Sequence, residues 1–246
     1  MGQRIGLILV AVAALAAAAH ANTIYTAVAT DDSYVYRNPL DEAGSVDTNY
    51  GTAEEMLVRW ATDARGTCKP YMRFELPDDV NFTSANLVSA KLILSGTNGS
   101  INNGKKPRVF GLLEGAEGWT EAGITWTNSV SSYANDAATK YYVDAGSDQI
   151  TNDYTWPNGT RTIEVDLLGG TAIADAFVTF VFTSNTDDMI SLMLGATGSM
   201  NIESTEGATA ESDPNLAPTL VLEYTPEPAT LSLLGLGALA LLRRKR

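Results

Sequence analysis

The chain has few of the residues on which most enzyme mechanisms depend. Its 246 residues include one histidine and one cysteine. The histidine, His20, lies in an apolar N-terminal segment. If that segment is removed, the remaining chain can build neither a Ser-His-Asp or Cys-His catalytic system nor a histidine-ligated zinc site. The single cysteine, Cys68, excludes an intrachain disulfide, so stability must come from a packed core.

Positive charge is also scarce. The chain has 16 lysines and arginines against 29 aspartates and glutamates. Five of those basic residues and one acid lie in the two terminal segments, so residues 22–225 carry a formal net charge of −17. Such a domain repels nucleic acid and anionic lipid surfaces, and we expect no nucleic-acid partner. Its many carboxylates suit calcium, which prefers oxygen ligands. Calcium is therefore the one cofactor that the composition suggests.

The first 21 residues have the three parts of a secretory signal peptide. Arg4 supplies a positive start, residues 5–19 are apolar, and Ala19-His20-Ala21 is a small-x-small cleavage site. The alternative is an N-terminal membrane anchor. No positively charged stop follows Ala21, and alanine-rich segments insert weakly, which favours a signal peptide. We therefore expect signal peptidase to cleave after Ala21.

The last 21 residues form a second module with its own order of parts. Pro226-Glu227-Pro228 precedes an apolar stretch over residues 229–242, and four basic residues end the chain. The stretch has 14 residues, fewer than the roughly 20 that cross a bilayer core. The order resembles the PEP-CTERM sorting signal, which implies recognition by an exosortase and transient membrane insertion through residues 229–242. A plain C-terminal anchor is the alternative.

Between the two ends, apolar residues alternate with a period of two. In residues 71–76, Met72, Phe74 and Leu76 alternate with polar or amphipathic neighbours, as in a strand with one buried face. The same pattern covers residues 88–94, with Val88 inward, and residues 162–167. Further predicted strands cover residues 55–60, 108–113, 177–183, 189–194 and 219–224.

Turn-forming residues separate these strands, and helical signals are few. Only residues 170–176 suggest a short helix, and residues 203–218 read as an acidic loop. Many short strands without a βαβ rhythm predict an all-β protein, an antiparallel β-sandwich of jelly-roll type over residues 22–225. The remaining parts are the signal peptide over residues 1–21 and a sorting module over residues 226–246, which includes a short hydrophobic helix.

Several patches of the central region, taken in order, resemble DNRLRE domains. They are Asp32-Ser33-Tyr34-Val35, Thr48-Asn49-Tyr50-Gly51-Thr52, residues 71–77, 88–92 and 119–128, and the strands at 163–167 and 218–224. The resemblance implies a secreted β-sandwich related to carbohydrate-binding modules, some of which bind alginate-like acidic polysaccharide. The acidic loop at 203–218 and a Tyr-, Asn- and Asp-rich insertion in the 130s to 150s depart from the pattern.

Four residues are candidate carbohydrate ligands. Arg59 and Arg73 lie on neighbouring predicted strands, and Tyr71 shares a face with Arg73 because it is two residues away. Arginine pairs with carboxylates in a bidentate manner, which suits an acidic sugar. Trp156, in a predicted loop, is a candidate stacking platform. The alternative for the arginines is a solvated surface paired with Glu55 or Glu75.

Two further tryptophans, Trp119 and Trp126, belong to the most specific patch. They could stack on sugars, although large aromatic residues more often pack. For calcium, the candidates are Asp31 and Asp32 together with Asp187 and Asp188, or with Glu203 and Glu206. None of them has EF-hand spacing, and ordinary turn-forming acids are the alternative.

The sequence therefore predicts an exported, non-catalytic protein that binds polysaccharide at the cell surface or in the extracellular matrix. Its partners would be signal peptidase, exosortase and a polysaccharide, in a bacterium with a Gram-negative-type envelope. A structural matrix or adhesion protein without a defined glycan site is the first alternative. The second is a jelly-roll polysaccharide lyase that uses Tyr71 and Arg73, although a tyrosine base needs a strongly lowered pKa.

Overall fold

The described part of the chain is built on two antiparallel sheets. The computed structural model describes residues 22–38, 46–59, 66–76, 82–97, 102–112, 116, 118–129, 147–151, 154–169, 189–197 and 199–226. The strands are β1 (Thr23–Val28), β2 (Asp31–Arg37), β3 (Glu55–Arg59), β4 (Thr67–Glu75), β5 (Leu87–Ser95), β6 (Lys106–Leu112), β7 (Ser147–Gln149), β8 (Thr162–Asp166), β9 (Met189–Thr197), β10 (Ser199–Glu203) and β11 (Thr219–Tyr224). The prediction of an all-β sandwich is confirmed.

The strand order in each sheet is not the order in the chain. The first sheet has four strands in the order β1-β11-β5-β8. The second has seven, in the order β10-β3-β4-β9-β6-β7, with β2 also paired to β4. All described pairings are antiparallel. Non-consecutive neighbours of this kind are typical of sandwiches with Greek-key and jelly-roll connections.

The main core lies between the two sheets and follows the alternation in the sequence. From the four-stranded sheet, Leu92, Leu94, Val165, Leu220 and Leu222 point inward and are buried. From the seven-stranded sheet, the inward residues include Met56, Val58, Met72, Phe74, Ile190 and Leu192. Burying a side chain of this size contributes roughly 1.5–3 kcal/mol relative to exposure. The period-two pattern therefore identified the inner face of β4, β8 and most of β5 correctly.

One inward residue was predicted wrongly. Val88 was expected to point inward, but it is exposed, and Leu87 is buried in its place. The register between β5 and β11 shifts between Glu223 and Tyr224, so that Leu87 pairs with Tyr224. Such a bulge adds one residue on one strand and reverses the alternation beyond it.

The acidic segment at 203–218 is also more ordered than a loop. It contains helix α1 (Thr205–Ala210) and a 3₁₀ helix (Pro214–Leu216). Ser204 caps α1, because its hydroxyl accepts a hydrogen bond from the backbone N–H of Gly207. Asp213 caps the 3₁₀ helix in the same way through Asn215. Reading residues 203–218 as a loop was wrong because these two caps were overlooked.

The terminal modules mostly lie outside the described residues. These include Ala19 and Ala21 of the expected cleavage site, Glu227 and Pro228 of the Pro-Glu-Pro motif, and the apolar stretch at 229–242. The strand expected at 177–183 and the helix expected at 170–176 lie outside as well, as does Trp60. Within the described part of the chain, no helix is long and apolar enough to span a membrane.

Candidate functional site

A tryptophan-bearing loop covers the outer face of the seven-stranded sheet. Residues 118–129 bring Trp119, Ile124 and Trp126 onto that face, where all three are buried. Beneath them lie Val35, Tyr71, Phe110, Leu112 and Met193, which form a second hydrophobic core. The seven-stranded sheet is therefore packed on both sides along β4. The packing interpretation of the two tryptophans agrees with this arrangement.

The Asn-Tyr-Gly patch holds this loop in place. The side-chain amide of Asn49 donates hydrogen bonds to the backbone oxygens of Glu121 at 2.7 Å and Ile124 at 2.8 Å. A Cβ atom on Gly51 would collide with the carbonyl of Glu121 and would lie 2.7 Å from its Cγ. Two patches that are distant in sequence thus dock directly against each other, and only glycine fits at the contact.

Arg73 lies beneath Trp119 instead of facing solvent. Its guanidinium donates a hydrogen bond to the backbone oxygen of Trp119, and its Cζ lies 4.6 Å from the centre of the indole ring. It also forms a 3.4 Å ion pair with Asp31, the residue opposite it on β2. Arg73 is 8% exposed. Its donors therefore fasten the tryptophan loop to the sheet.

Tyr71 and Arg73 were expected to lie on an exposed ligand-binding face, and this packing shows that the expectation was wrong. Tyr71 is 1% exposed and makes an edge-on contact with Trp119, with the ring centroids 5.9 Å apart. Tyr71 and Arg73 do share a face, as the alternation predicted. That face is covered because its neighbours are apolar and the loop buries them, so neither side chain lies on the protein surface.

Trp156 is also buried, contrary to its expected role as a surface platform. Its side chain is 1% exposed and belongs to the main core. The indole Nε1–H donates to the backbone oxygen of Thr160 at 2.7 Å, and its backbone N–H donates to Lys105. A turn follows it, with Gly159 at φ 76°. The ring turns inward because its one polar atom has a partner within the turn.

Of the four candidate sugar ligands, Arg59 is half-buried, whereas the other three are buried. It pairs in register with Cys68, five residues from Arg73, so the two arginines point to opposite faces of the sheet. Its Nε donates to the backbone oxygen of Gly66 at 3.0 Å. The structure does not bring Arg59 together with Arg73 and Tyr71.

Two tyrosines lie beside Arg59. The guanidinium lies 5.9 Å from the centre of the Tyr36 ring. Tyr36 meets Tyr50 edge-on, and Tyr50 stacks on the buried Tyr34 with ring centroids 4.3 Å apart. Tyr36 and Tyr50 are half-buried. We call Tyr36, Tyr50 and Arg59 the tyrosine-arginine rim, since they lie at the border of the main core.

Three carboxylates from distant parts of the chain meet near the start of β2. One oxygen each from Asp32, Glu121 and Glu206 lie within 4.8 Å of one another. Asp32 accepts a hydrogen bond from the backbone N–H of Thr205 at 2.9 Å. Burial, together with the charges of Glu206 and Glu121, raises the pKa of Asp32 to about 7. Burial and Glu206 also raise the pKa of Glu121.

The other calcium candidates are not part of this cluster. Asp31, adjacent to Asp32, points to the opposite face and pairs with Arg73. Glu203 is buried and pairs with Arg161 at 3.0 Å. Asp187 and Asp188 lie outside the described residues. Of the sequence candidates, the structure thus brings together Asp32 and Glu206, and it adds Glu121.

Glu121, Tyr36 and Tyr50 were missed as site residues. Glu121 was not among the candidate ligands, although its place two residues after Trp119 in the most specific patch was a signal that it is held in position. Tyr50 belongs to the Asn-Tyr-Gly patch. Tyr36 carried no motif signal, because its relevance comes only from the stacking arrangement around Arg59.

Comparison with known families agrees with these features. The family model described as carbohydrate-binding module family 96 matches residues 23–155. The model of the PEP-CTERM protein-sorting motif matches residues 225–246. The chain therefore belongs to carbohydrate-binding module family 96 and ends in a PEP-CTERM motif, a combination that indicates a secreted or cell-surface protein. A search of curated proteins found no match.

Proposed function

We propose that this protein is an exported, non-catalytic polysaccharide-binding protein of the cell surface or exopolysaccharide matrix. The observation that carries the proposal is the pairing of a carbohydrate-binding module with a C-terminal sorting motif in one chain. Signal peptidase would cleave after Ala21, and exosortase would act at Pro226-Glu227-Pro228 after transient insertion of residues 229–242. The envelope would be of the Gram-negative type.

The tyrosine-arginine rim is our candidate for the glycan contact. Tyrosine rings offer an apolar face for a sugar and a hydroxyl for hydrogen bonding. The guanidinium of Arg59 can bind a uronate carboxylate in a bidentate manner. Among the described residues that the sequence suggested as sugar ligands, Tyr71, Arg73 and Trp156 are buried, which leaves Arg59. An acidic polysaccharide is the ligand class that this chemistry favours.

The net charge of the domain does not contradict an acidic ligand. Residues 22–225 carry a charge of −17, which repels a polyanion at long range. Salt screens charges beyond about 8 Å at physiological ionic strength, so a local cation can dominate a contact. Binding through Arg59 should therefore be weak at low salt and stronger near physiological salt.

Burial also counts against the lyase alternative. A catalytic tyrosine must reach a sugar proton at hydrogen-bond distance, and Tyr71 lies beneath the tryptophan loop. The chain has no histidine after His20 to take its place. A matrix or adhesion protein without a defined glycan site remains the alternative that binding experiments must separate.

The test is a calorimetric titration of the full chain, kept soluble in mild non-ionic detergent, with alginate and with a neutral β-glucan. We expect alginate to bind and Arg59→Ala to weaken it roughly 10- to 100-fold, the effect of losing a charged hydrogen bond. Arg108→Ala is the matched control, because Arg108 is a half-buried arginine on the opposite face of the same sheet. Circular dichroism verifies that both variants fold.

Three outcomes would contradict the proposal. If neither polymer binds at millimolar sugar concentrations, the matrix interpretation replaces the binding module. If alginate binds equally to wild type, Arg59→Ala and Tyr36→Ala, the glycan site lies away from the tyrosine-arginine rim. Formation of an unsaturated uronate product, followed by ultraviolet absorbance, would support the lyase instead.

A further inference from the structure

The carboxylate cluster of Asp32, Glu121 and Glu206 is arranged in a way that ordinary surface acids are not. The three residues come from β2, from the turn after Trp119, and from the first turn of α1. Their oxygens lie within 4.8 Å of one another. Like charges at such a distance repel, and the repulsion grows as water is excluded. The fold therefore maintains an arrangement that needs a compensating positive charge.

Within the described part of the chain, two buried oxygens of the cluster have no hydrogen-bond partner. Asp32 is 1% exposed, and no described residue donates a hydrogen bond to its Oδ1, although its Oδ2 accepts one from Thr205. Oε1 of Glu121 is buried and also lacks a partner. Native proteins seldom leave buried polar atoms unsatisfied, and an unassigned ion is one of the few common reasons. Both orphan atoms belong to the residues that converge here.

Neighbouring groups fix the directions of these carboxylates. The backbone N–H of Asp32 donates to the carboxylate of Glu121. The hydroxyl of Thr205 donates to Glu206 at 3.3 Å, and Asn49 holds the backbone of Glu121. Ser204 attaches the start of α1 to the backbone oxygen of Ala53 at 2.7 Å. Hydrogen bonds from backbone groups and from Thr205 thus hold the carboxylates, and Asn49 and Ser204 hold the backbone segments that carry them, as is usual for metal ligands.

We propose that Asp32, Glu121 and Glu206 bind one divalent cation of the calcium type. All three supply oxygen, the ligand of hard cations. Calcium accepts six to eight oxygens at about 2.3–2.6 Å in irregular geometry, so ligands on opposite sides of the ion lie about 4.6–5.2 Å apart. Three carboxylates can supply several of these oxygens. Magnesium requires near-ideal octahedral geometry at about 2.0–2.1 Å and keeps most of its water, which suits a site of three protein carboxylates less well.

The ion would connect three separate parts of the fold. Asp32 lies on the strand that pairs with β4, and Glu121 lies in the loop that covers the second core. Glu206 lies in the first turn of α1. A cation at their centre would join the loop and the helix to the sheet. Glu206 lies beyond residues 23–155, the part matched by the family model, whereas Asp32 and Glu121 lie within it. The proposal is independent of which glycan binds.

The first measurement is the melting temperature of the full chain in the same detergent, with EDTA, with calcium and with magnesium. Extracellular calcium modules have dissociation constants of about 0.1–1 mM, so about 10 mM calcium should raise the melting temperature by roughly 3–10 °C. Magnesium should give a smaller shift. Identical melting curves with EDTA and with calcium would overturn the proposal. The three carboxyl groups would then be held together by shared protons, without a metal ion. An equal or larger shift with magnesium would overturn the assignment to calcium.

Variants locate the ion. Glu206→Gln removes one charged ligand from a half-buried helix position and should abolish most of the calcium-dependent shift. In EDTA it should melt at or above the wild-type temperature, because it relieves repulsion. Glu54→Gln is the matched control, because it removes the same charge from a nearby exposed position. This variant should keep the full calcium-dependent rise in melting temperature. If Glu206→Gln keeps the full shift as well, the ion binds elsewhere and the proposal fails.

A second readout does not depend on stability. Terbium replaces calcium in oxygen sites and emits when a nearby tryptophan transfers energy to it. Trp119 lies two residues before Glu121, so bound terbium should be sensitised by excitation of tryptophan. Calcium should displace terbium and so reduce the emission. Asp32→Asn and Glu206→Gln should each lower the emission at least tenfold. No sensitised emission from wild type, or equal emission from Asp32→Asn, would contradict the site.

Discussion

The guanidinium of Arg73 donates a hydrogen bond to the backbone oxygen of Trp119 and lies 4.6 Å from the centre of its indole ring. One side chain of the sheet thus holds both the backbone and the ring of the loop above it. The ion pair with Asp31 neutralises the charge that this contact buries. The second core is therefore closed by a polar anchor as well as by apolar packing.

Arg73→Ala should destabilise the protein by about 3 kcal/mol, because it leaves the carbonyl of Trp119 and the carboxylate of Asp31 without their partner. Urea unfolding followed by circular dichroism measures the change. Arg73→Lys should recover only part of the loss, since an ammonium cannot stack flat on the indole. If Arg73→Ala unfolds at the wild-type urea concentration, Arg73 is not the anchor of the loop.

Trp156→Ala should cost about 3–5 kcal/mol, the range for deleting a large core aromatic. The same variant should not change the glycan affinity of molecules that remain folded, because the ring is buried. Thermal unfolding and calorimetric titration at low temperature measure the two effects separately. A variant with normal stability and lost glycan affinity would restore the surface role that the sequence suggested.

Alternation allowed most strands and the main core to be predicted, because one face of each strand is apolar. It could not predict that residues 118–129 cover the other face of β4. Tyr71 and Arg73 look like solvent-facing residues in sequence, and a covering loop is a long-range contact that local patterns do not encode. The tryptophan pair was the available signal, since two large aromatic residues in one loop need a surface to pack on.

The carboxylate cluster was only partly predictable for a similar reason. Asp32 and Glu206 were candidates because their carboxylates supply the oxygen ligands that calcium prefers. Glu121 could be added only once the contact of Asn49 and Gly51 with the tryptophan loop was known. Trp156 was misplaced because a loop assignment does not determine on which side a side chain packs.

Mass spectrometry of the native exported protein should find an N-terminus at Asn22 and a C-terminus near Pro226. The signal peptide expected over residues 1–21 and the matched sorting motif at residues 225–246 are the reasons. If Pro226-Glu227-Pro228 is replaced by alanines, the exported protein should keep the C-terminal residues 229–246. Recovery of secreted wild-type protein that still carries Arg243 to Arg246 would contradict processing by exosortase.

Gly51→Ala should destabilise the protein by about 1–3 kcal/mol, the usual range for overpacking. The new methyl group would meet the carbonyl of Glu121 and, at 2.7 Å, its Cγ, and a backbone atom cannot move aside as a flexible side-chain end can.

Gly118→Ala is the matched control, because a Cβ at Gly118 would meet no atom of the described residues within 4 Å and the residue lies at the start of the same loop. Its stability should stay within about 0.5 kcal/mol of wild type. Since Gly51→Ala displaces Glu121, it should also reduce the rise in melting temperature on adding calcium, whereas Gly118→Ala should not. Equal stability and equal calcium response in the two variants would show that the loop does not depend on the close approach at Gly51.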